Sequence, residues 1–268
     1  MGLAFSLRAA QGATGVNVVK KEDRVVVEIN GDVFTQYWFK GDQHPGVEEK
    51  KAKDGTVTKN VLATKHVYFW PVNGPGGLSM TRSWPMDPTA PNEDHDHPHH
   101  RGMWFSHGEV NGVDFWSETA KAGRIAHEKF IELSSGKDQG VIRSTCQWIS
   151  PENQVVCTDE RVLRVYNRPA NERLFDFEIT IHAPADKEVV MGDTKEGSMA
   201  IRVAETMKLG KASKGKPATG LGHIVQDTGA TGEDTWGKRA KWCDYYGPVN
   251  GKTVGIADCD VLARVTLF

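Results

Sequence analysis

The chain has 268 residues, enough for one large domain with a substantial buried core. Its 33 basic and 35 acidic residues leave a formal net charge of -2, which gives no general attraction to nucleic acid or to anionic lipid. No stretch of about 20 uninterrupted apolar residues occurs, so no transmembrane segment is expected. Nucleic acid and the membrane interior are therefore excluded from the expected partners.

Residues 1–13 end in small residues, as the cleavage region of a secretory signal does, although a cationic start is missing and the apolar part is short. We interpret them as a signal-peptide remnant and expect a periplasmic or extracellular protein. The alternative is a disordered N-terminus in the cytoplasm. The four cysteines lack Cys-x-x-Cys spacing. Cys146 and Cys157 are predicted to be buried free thiols, with a disulfide across a hairpin as the alternative.

From residue 16 onward the hydrophobic pattern has a period of two. Residues 24–29 and 33–39 flank an Asn-Gly turn and predict a hairpin. Residues 40–62 are rich in Lys, Gly and Asp without an apolar rhythm, and they predict a long exposed loop. Residues 65–72 return to strand composition.

The second half of the chain alternates more clearly. Residues 102–107 and 113–116 flank another Asn-Gly turn and predict a second hairpin. Strands are then predicted at residues 125–133, 140–149, 155–166, 173–182 and 199–203. In the fourth of these, one face should be dry, and it carries Phe175, Phe177, Ile179 and Ile181. A further hairpin is predicted around Trp242, Tyr245, Tyr246 and Asn250-Gly251.

These patterns predict the fold class. No stretch of ten or more residues has a 3.6-residue period, and no glycine-rich phosphate loop precedes a helix. The prediction is all-β, a single large antiparallel β-sandwich over residues 14–268 in which residues 210–222 form a polar loop. No Gly-x-Ser-x-Gly nucleophile elbow occurs, so a serine hydrolase of that kind is unsupported.

Residues 92–118 concentrate the chemistry of the chain. Five of its ten histidines fall between His95 and His107, among acids, an arginine and two tryptophans. Imidazole titrates closest to neutrality and is the commonest metal ligand, so this cluster predicts acid–base chemistry, metal binding or both. Trp104 and Trp116 are core residues or, beside the histidines, a platform for a planar ligand.

A divalent metal is the alternative cofactor. His97 and His99 are two residues apart, so on extended backbone both imidazoles would share a face and, with His107, chelate a metal. However, no glutamate follows on the same strand, Arg101 would oppose a cation, and Pro98 can hold a turn that removes the shared face. The favoured expectation is no cofactor.

Proton transfer requires fewer fixed groups than a metal site does. It needs an imidazole acid, a carboxylate base and a cation near developing negative charge. The first and third come from His99, His100, Arg101 and His107. The expected carboxylate is Glu196, in a turn at residues 192–197 just before a predicted strand. Its expected partners are Asp193, Lys195 and Arg202. An ordinary solvated turn has the same composition and is the alternative.

Three segments resemble a bacterial family labelled "methane oxygenase PmoA-like". They are DHPHHRGMWFSHG at 96–108 with GVDFW at 112–116, GDTKEG at 192–197 with Arg202 downstream, and WCDYYG at 242–247 with GKTVGIA at 251–257. The match covers nearly everything from Val16 to Asp258. The label names a membrane-bound oxygenase subunit built from transmembrane helices, which this chain cannot form, so it does not describe the activity.

The resemblance implies a function, because such proteins are similar to exported carbohydrate-active β-sandwich proteins of the galactose mutarotase type. It implies a sugar in a cleft on one sheet, with His100 or His107 as the acid and Glu196 as the base. The residues expected to bind the substrate are His99, Arg101, Trp104, Trp116, Asp193, Lys195 and Arg202.

The resemblance also implies a C-terminally incomplete chain, since members continue past the segment matching 255–257 with further strands and a histidine-bearing motif. A lost strand would expose a sheet edge and could remove one wall of the site. The overall expectation is a carbohydrate-binding protein that epimerises, cleaves by elimination, or hydrolyses a small-molecule or oligosaccharide substrate. The alternatives are a metal-dependent enzyme built on residues 95–107 and a non-catalytic sugar-binding module.

Overall fold

The structure is a computed structural model that describes residues 14–40, 44–210, 220–259 and 265–267. The predicted signal remnant at 1–13 and most of the polar loop at 210–222 lie outside these residues. The described part contains 16 strands, three short 3-10 helices and no α-helix. Within it, no helix has the length and apolarity needed to cross a membrane.

The strands are β1 (Val16–Lys20), β2 (Arg24–Ile29), β3 (Asp32–Trp38), β4 (Gly46–Lys51), β5 (Val57–Leu62), β6 (Tyr68–Val72), β7 (Met103–His107), β8 (Arg124–Ser134), β9 (Gln139–Ile149), β10 (Val155–Tyr166), β11 (Leu174–His182), β12 (Gly197–Ile201), β13 (His223–Gln226), β14 (Trp242–Val249), β15 (Lys252–Cys259) and β16 (Val265–Leu267). The 3-10 helices span Pro75–Gly77, Glu205–Met207 and Gly232–Thr235.

Two sheets dominate the fold. One has six strands in the order β1-β2-β3-β6-β7-β12, and the other has five in the order β16-β11-β10-β9-β8. A three-stranded sheet (β13-β14-β15) and the β4-β5 hairpin complete the described part. Neighbouring strands are antiparallel, apart from β16, which runs parallel to β11. The prediction of an all-β fold with antiparallel sheets is confirmed.

Side chains from both large sheets form one hydrophobic core, which makes the arrangement a sandwich. The six-stranded sheet contributes Tyr37, Phe69 and Phe105, and the five-stranded sheet contributes Trp148 and Phe177. The alternation predicted for β11 is confirmed, because its aromatic and isoleucine side chains pack on this core. Cys146 and Cys157 are buried in it as free thiols, as predicted.

The structure also corrects two predicted elements. The exposed loop predicted at 40–62 contains the β4-β5 hairpin, which the pattern concealed because the side chains of β5 are exposed on both faces and carry no apolar alternation. Residues 113–116 do not form a strand: a single bridge joins Val110 to Val113. By contrast, the hairpin predicted around Asn30-Gly31 is confirmed, with φ angles of 52° and 91° that suit Asn and Gly.

The outer face of the six-stranded sheet, away from the sandwich core, carries a second apolar cluster. On β7, Met103 and Phe105 face the sandwich core, so Trp104 between them faces outward. The cluster there comprises Trp38, Tyr68, Met86, Trp104 and Trp116. The histidine-rich segment leads directly into β7 and is therefore placed against this outer face.

Candidate functional site

Stacked rings form the base of the candidate site. We define the ring cluster as His97, His99, His100, Trp104 and Trp116. His100 stacks on Trp104 with centroids 5.1 Å apart and on His97 with centroids 4.9 Å apart. His99 meets His100 edge-on at 4.4 Å. The result is a block of flat side chains on the outer face of β7, at the end where the chain enters the strand.

The two central histidines are uncharged at neutral pH. Burial lowers the pKa of His99 to about 4. Burial, together with the positive charge of Arg202, lowers the pKa of His100 to about 2. Loss of hydration disfavours the imidazolium, and nearby cations add to that effect. His100 is therefore poorly suited to the acid role predicted for it, whereas a neutral imidazole is a good hydrogen-bonding group.

His100 is surrounded by donors. The indole N–H of Trp116 lies 3.3 Å from its Nε2, and a guanidinium nitrogen of Arg202 lies 3.1 Å from its Nδ1. A neutral imidazole has only one acceptor nitrogen, so it satisfies one of these donors at a time. With Nε2 as the acceptor for the buried Trp116 indole, the Arg202 nitrogen, on a side chain that is 21% exposed, can donate to another acceptor such as a sugar hydroxyl.

Arg202 is held by a charge network. Its second nitrogen donates to Asp96 at 2.6 Å, and Asp96 also binds Arg82 at 2.7 Å and His97 at 2.9 Å. Burial opposes ionisation of Asp96, but Arg202, His97 and Arg82 outweigh it and lower its pKa to about 2. Arg82 binds Glu205 as well, at 2.7 Å. The positive charges beside the ring cluster are thus compensated.

The predicted turn at 192–197 lies beside His107. Strand β12 follows the turn and pairs with β7, so that Gly197 is opposite His107. The Gly108 amide donates to the Glu196 carbonyl at 2.7 Å. A Cβ at Gly197 would overlap the His107 ring, so glycine allows the imidazole to lie against β12. The 192–197 turn is therefore a neighbour of His107, one of the two histidines predicted as the acid.

His107 is oriented by two hydrogen bonds. Its Nε2 lies 2.9 Å from the Gly192 carbonyl oxygen, and its Nδ1 lies 3.3 Å from the Ser198 hydroxyl. A carbonyl only accepts, so Nε2 carries the proton and, in the neutral ring, Nδ1 accepts from Ser198. The serine hydroxyl is consequently coupled to the imidazole.

Glu196 is partly accessible and lies within electrostatic range of His99. Its side chain is 35% exposed and pairs with Lys195 at 3.2 Å. Its negative charge acts on His99, raising the pKa of that imidazole against the stronger effect of burial. Asp193 is exposed in the same turn. The carboxylate predicted as the base therefore influences His99 electrostatically, with Lys195 as its counter-charge.

Arg101 has a different place from the one predicted. Its side chain is 1% exposed, and it forms a bidentate ion pair with Glu118 at 2.8 and 2.7 Å. A third nitrogen donates to the His44 carbonyl at 2.5 Å. The guanidinium is therefore fully used inside the protein, which does not support the prediction that Arg101 binds a substrate.

The tryptophans lie behind the histidines. Trp104 is 2% exposed and Trp116 is 8% exposed, so neither offers an open face to a ligand. Both tryptophan rings pack against His100 on the side of the sheet, and the imidazoles form the accessible surface. The surface available to a planar ligand is therefore formed by His97, His99 and His100, and not by the tryptophans as predicted.

The alternative metal site is not assembled in this arrangement. His107 bonds to Gly192 and Ser198, away from the stacked contacts that join His97 to His99. Among the residues that the structure describes, no group of three or more His, Cys, Asp or Glu side chains is arranged to hold a metal ion.

Two functional candidates give no signal in the sequence. Ser198 lies in an apolar strand, where a lone serine is unremarkable. Asp96 is visible only as one acid in a histidine-rich loop, and its bond to Arg202 joins residues 106 positions apart. Nothing in the local pattern could have paired them.

The fold and the site together define an all-β sandwich protein with a ring-lined polar site on the outer face of one sheet. A family model described as "family of unknown function (DUF6807)" matches residues 24–261. The chain belongs to this family. Neither a search of curated proteins nor a search of solved structures gave a match.

Proposed function

We propose that the chain binds an uncharged carbohydrate on the ring cluster and transfers protons to and from it. The observation that carries this proposal is the meeting of the 192–197 turn with His107 on β7, the same strand that carries Trp104 of the ring cluster. Flat, neutral imidazoles suit the faces of a sugar ring, and the spare donor at His100 suits a hydroxyl. Compensated charges favour a neutral sugar over an acidic one.

Glu196 is the base in this proposal. Its accessible carboxylate would take a proton from the sugar, with Lys195 paired to it at 3.2 Å. His107 and Ser198 return a proton as a relay: imidazolium Nδ1 gives its proton to the serine oxygen while the serine hydroxyl gives its own to the sugar. One proton leaves the sugar and one arrives, so its charge is unchanged at the end.

This arrangement favours epimerisation or elimination, each of which needs one base and one acid. Glycoside hydrolysis uses two carboxyl groups flanking the bond. Asp96 lies beside the rings with 44% of its side chain exposed, but its ion pairs with Arg82 and Arg202 help to lower its pKa to about 2, which makes it unsuited to the role of the acid. The sequence resemblance to PmoA-like and galactose mutarotase-type proteins supports the same reading, and export to the periplasm or cell exterior forms part of the proposal.

The test is turnover by wild type and two variants on a panel of neutral mono- and oligosaccharides, followed by NMR for anomer exchange and new unsaturated products. Glu196→Gln should bind sugar normally and lose turnover about 100-fold, and Ser198→Ala about tenfold. Glu172→Gln, an exposed carboxylate elsewhere, is the matched control and should keep full activity.

Full turnover in Glu196→Gln would overturn the assignment of the base. Sugar binding without turnover in wild type and all variants would identify a non-catalytic binding module.

A further inference from the structure

A cavity of about 400 Å³ lies beside the ring cluster without including any of its members. It is lined by Val47, Lys59, Trp84, Pro88 and His95. The β4-β5 hairpin supplies the first two residues, and the loop that leads to the histidine-rich segment supplies the rest. Ligand pockets are typically about 300 to 1,000 Å³, so this volume suits a single small ring.

One wall of the cavity is a flat, fixed surface. Trp84 and His95 stack with centroids 4.0 Å apart and an angle of 7° between their planes. The Trp84 indole donates to the Asp96 carbonyl at 2.9 Å, and the Trp84 amide donates to the Glu93 carboxylate at 2.6 Å. Because these bonds hold the pair in place, a ligand that stacks there loses little protein entropy on binding.

The remaining lining suits a sugar. Val47 and Pro88 are apolar, and Lys59 is a cationic donor. An apolar pocket with a few polar groups is the usual composition of a small-molecule site. Sugar rings present apolar C–H faces to aromatic surfaces and hydroxyls to donors, and this cavity offers both.

The cavity and the ring cluster share a wall. His95 lines the cavity and His97 belongs to the ring cluster, with Asp96 between them bonded to Arg82 and Arg202. On the other side, Gly46 packs so closely on Pro98 that a Cβ there would lie 2.8 Å from the proline. The segment 95–98 therefore contributes His95 to the cavity and His97 to the ring cluster, while Pro98 packs on the hairpin.

We infer that the cavity is a subsite for a second sugar ring, and that the ligand is an oligosaccharide whose first ring lies on the ring cluster. This inference rests on the proposed function and adds to it a preference for chain length. The second ring stacks beside His95 and Trp84, against the apolar side chains of Val47 and Pro88.

Calorimetric titration with mono-, di- and trisaccharides of glucose, galactose and xylose tests the subsite. Wild type should bind the preferred disaccharide about tenfold more tightly than its monosaccharide, with little further gain for the trisaccharide. His95→Ala should lose that gain while keeping the monosaccharide affinity, and His95→Phe should retain it because the flat ring remains.

His95 is exposed, so both variants should fold, and His182→Ala at an exposed site on β11 is the matched control. Equal affinity for all lengths, or an undiminished gain in His95→Ala, would overturn the subsite and leave the proposed function standing. Failure of wild type to bind any of these sugars would overturn both.

Discussion

Glu118→Gln tests the conclusion that Arg101 is a structural residue. The substitution keeps the shape of the side chain and removes its charge, which leaves the Arg101 guanidinium in the interior without a counter-ion. The side chains of Arg101 and Glu118 are 1% and 0% exposed. Burial opposes ionisation of Glu118, but Arg101 outweighs it and lowers the pKa of the carboxyl to about 2.

The expected cost follows from this burial. Breaking a buried pair by neutralising one partner typically costs about 3 to 5 kcal/mol, because the remaining charge is desolvated and uncompensated. The amide introduced by Glu118→Gln would still accept one hydrogen bond, which places the expected loss near about 3 kcal/mol. Replacing both partners by apolar residues, Arg101→Met with Glu118→Leu, removes the stranded charge and should be more stable than the single variant by at least about 1 kcal/mol.

Urea unfolding followed by tryptophan fluorescence measures these differences. Glu172→Gln is the control, because its pair with Arg168 is 46% and 50% exposed and should contribute less than about 0.5 kcal/mol. The double variant should bind monosaccharide as wild type does. A loss in Glu118→Gln no larger than in the control, or a folded double variant that no longer binds sugar, would refute the structural role.

Three other features of the fold can be tested one at a time. Burial lowers the pKa values of His99 and His100, so the unfolded chain binds more protons than the folded chain below pH 6.5. The free energy of unfolding should therefore fall by about 1 to 2 kcal/mol per pH unit toward pH 5. Urea titrations at a series of pH values should show a weaker dependence of this free energy on pH in His100→Asn than in wild type, and an unchanged dependence would contradict the reasoning. Gly197→Ala should displace the His107 ring and reduce turnover about tenfold with little loss of stability. NMR shifts of the His107 imidazole would report the displacement, and unshifted His107 signals would count against it. The Cys157 thiol, whose pKa burial raises to about 12, should react with iodoacetamide only after unfolding, and rapid labelling of the native protein would disagree.

Sequence alone predicts the fold well where one face of a strand is dry. The alternation of apolar and polar residues predicts the bounds of β10, residues 155–166, to within a residue. A shift of the pairing by one residue would turn the apolar side chains of the strand to solvent. The β4-β5 hairpin is not predicted, because the side chains of β5 are exposed on both faces and no apolar face has to be kept from solvent. Pattern therefore identifies strands through burial, and an element that buries little leaves no signature.

The site was predictable in part. The pairing of the 192–197 turn with the histidines was predicted from the residue types that proton transfer needs and then from the resemblance, since no local spacing joins segments so far apart. The burial of Arg101 was hidden because a sequence shows a charge without showing whether its partner is buried beside it. The lowered pKa of His100 could not be predicted from the sequence either. Burial and the neighbouring Arg202 determine it, and both arise only when the chain folds.

The central claim is that a sugar binds over the imidazoles of the ring cluster, with Glu196 and His107 as the proposed proton-transfer groups. NMR of imidazole-labelled protein, titrated with the preferred neutral sugar, tests it directly. We predict shifts at His97, His99, His100 and His107, and none at His182 on β11. Shifts confined to histidines outside the ring cluster and β7, with those four unmoved at saturation, would contradict it.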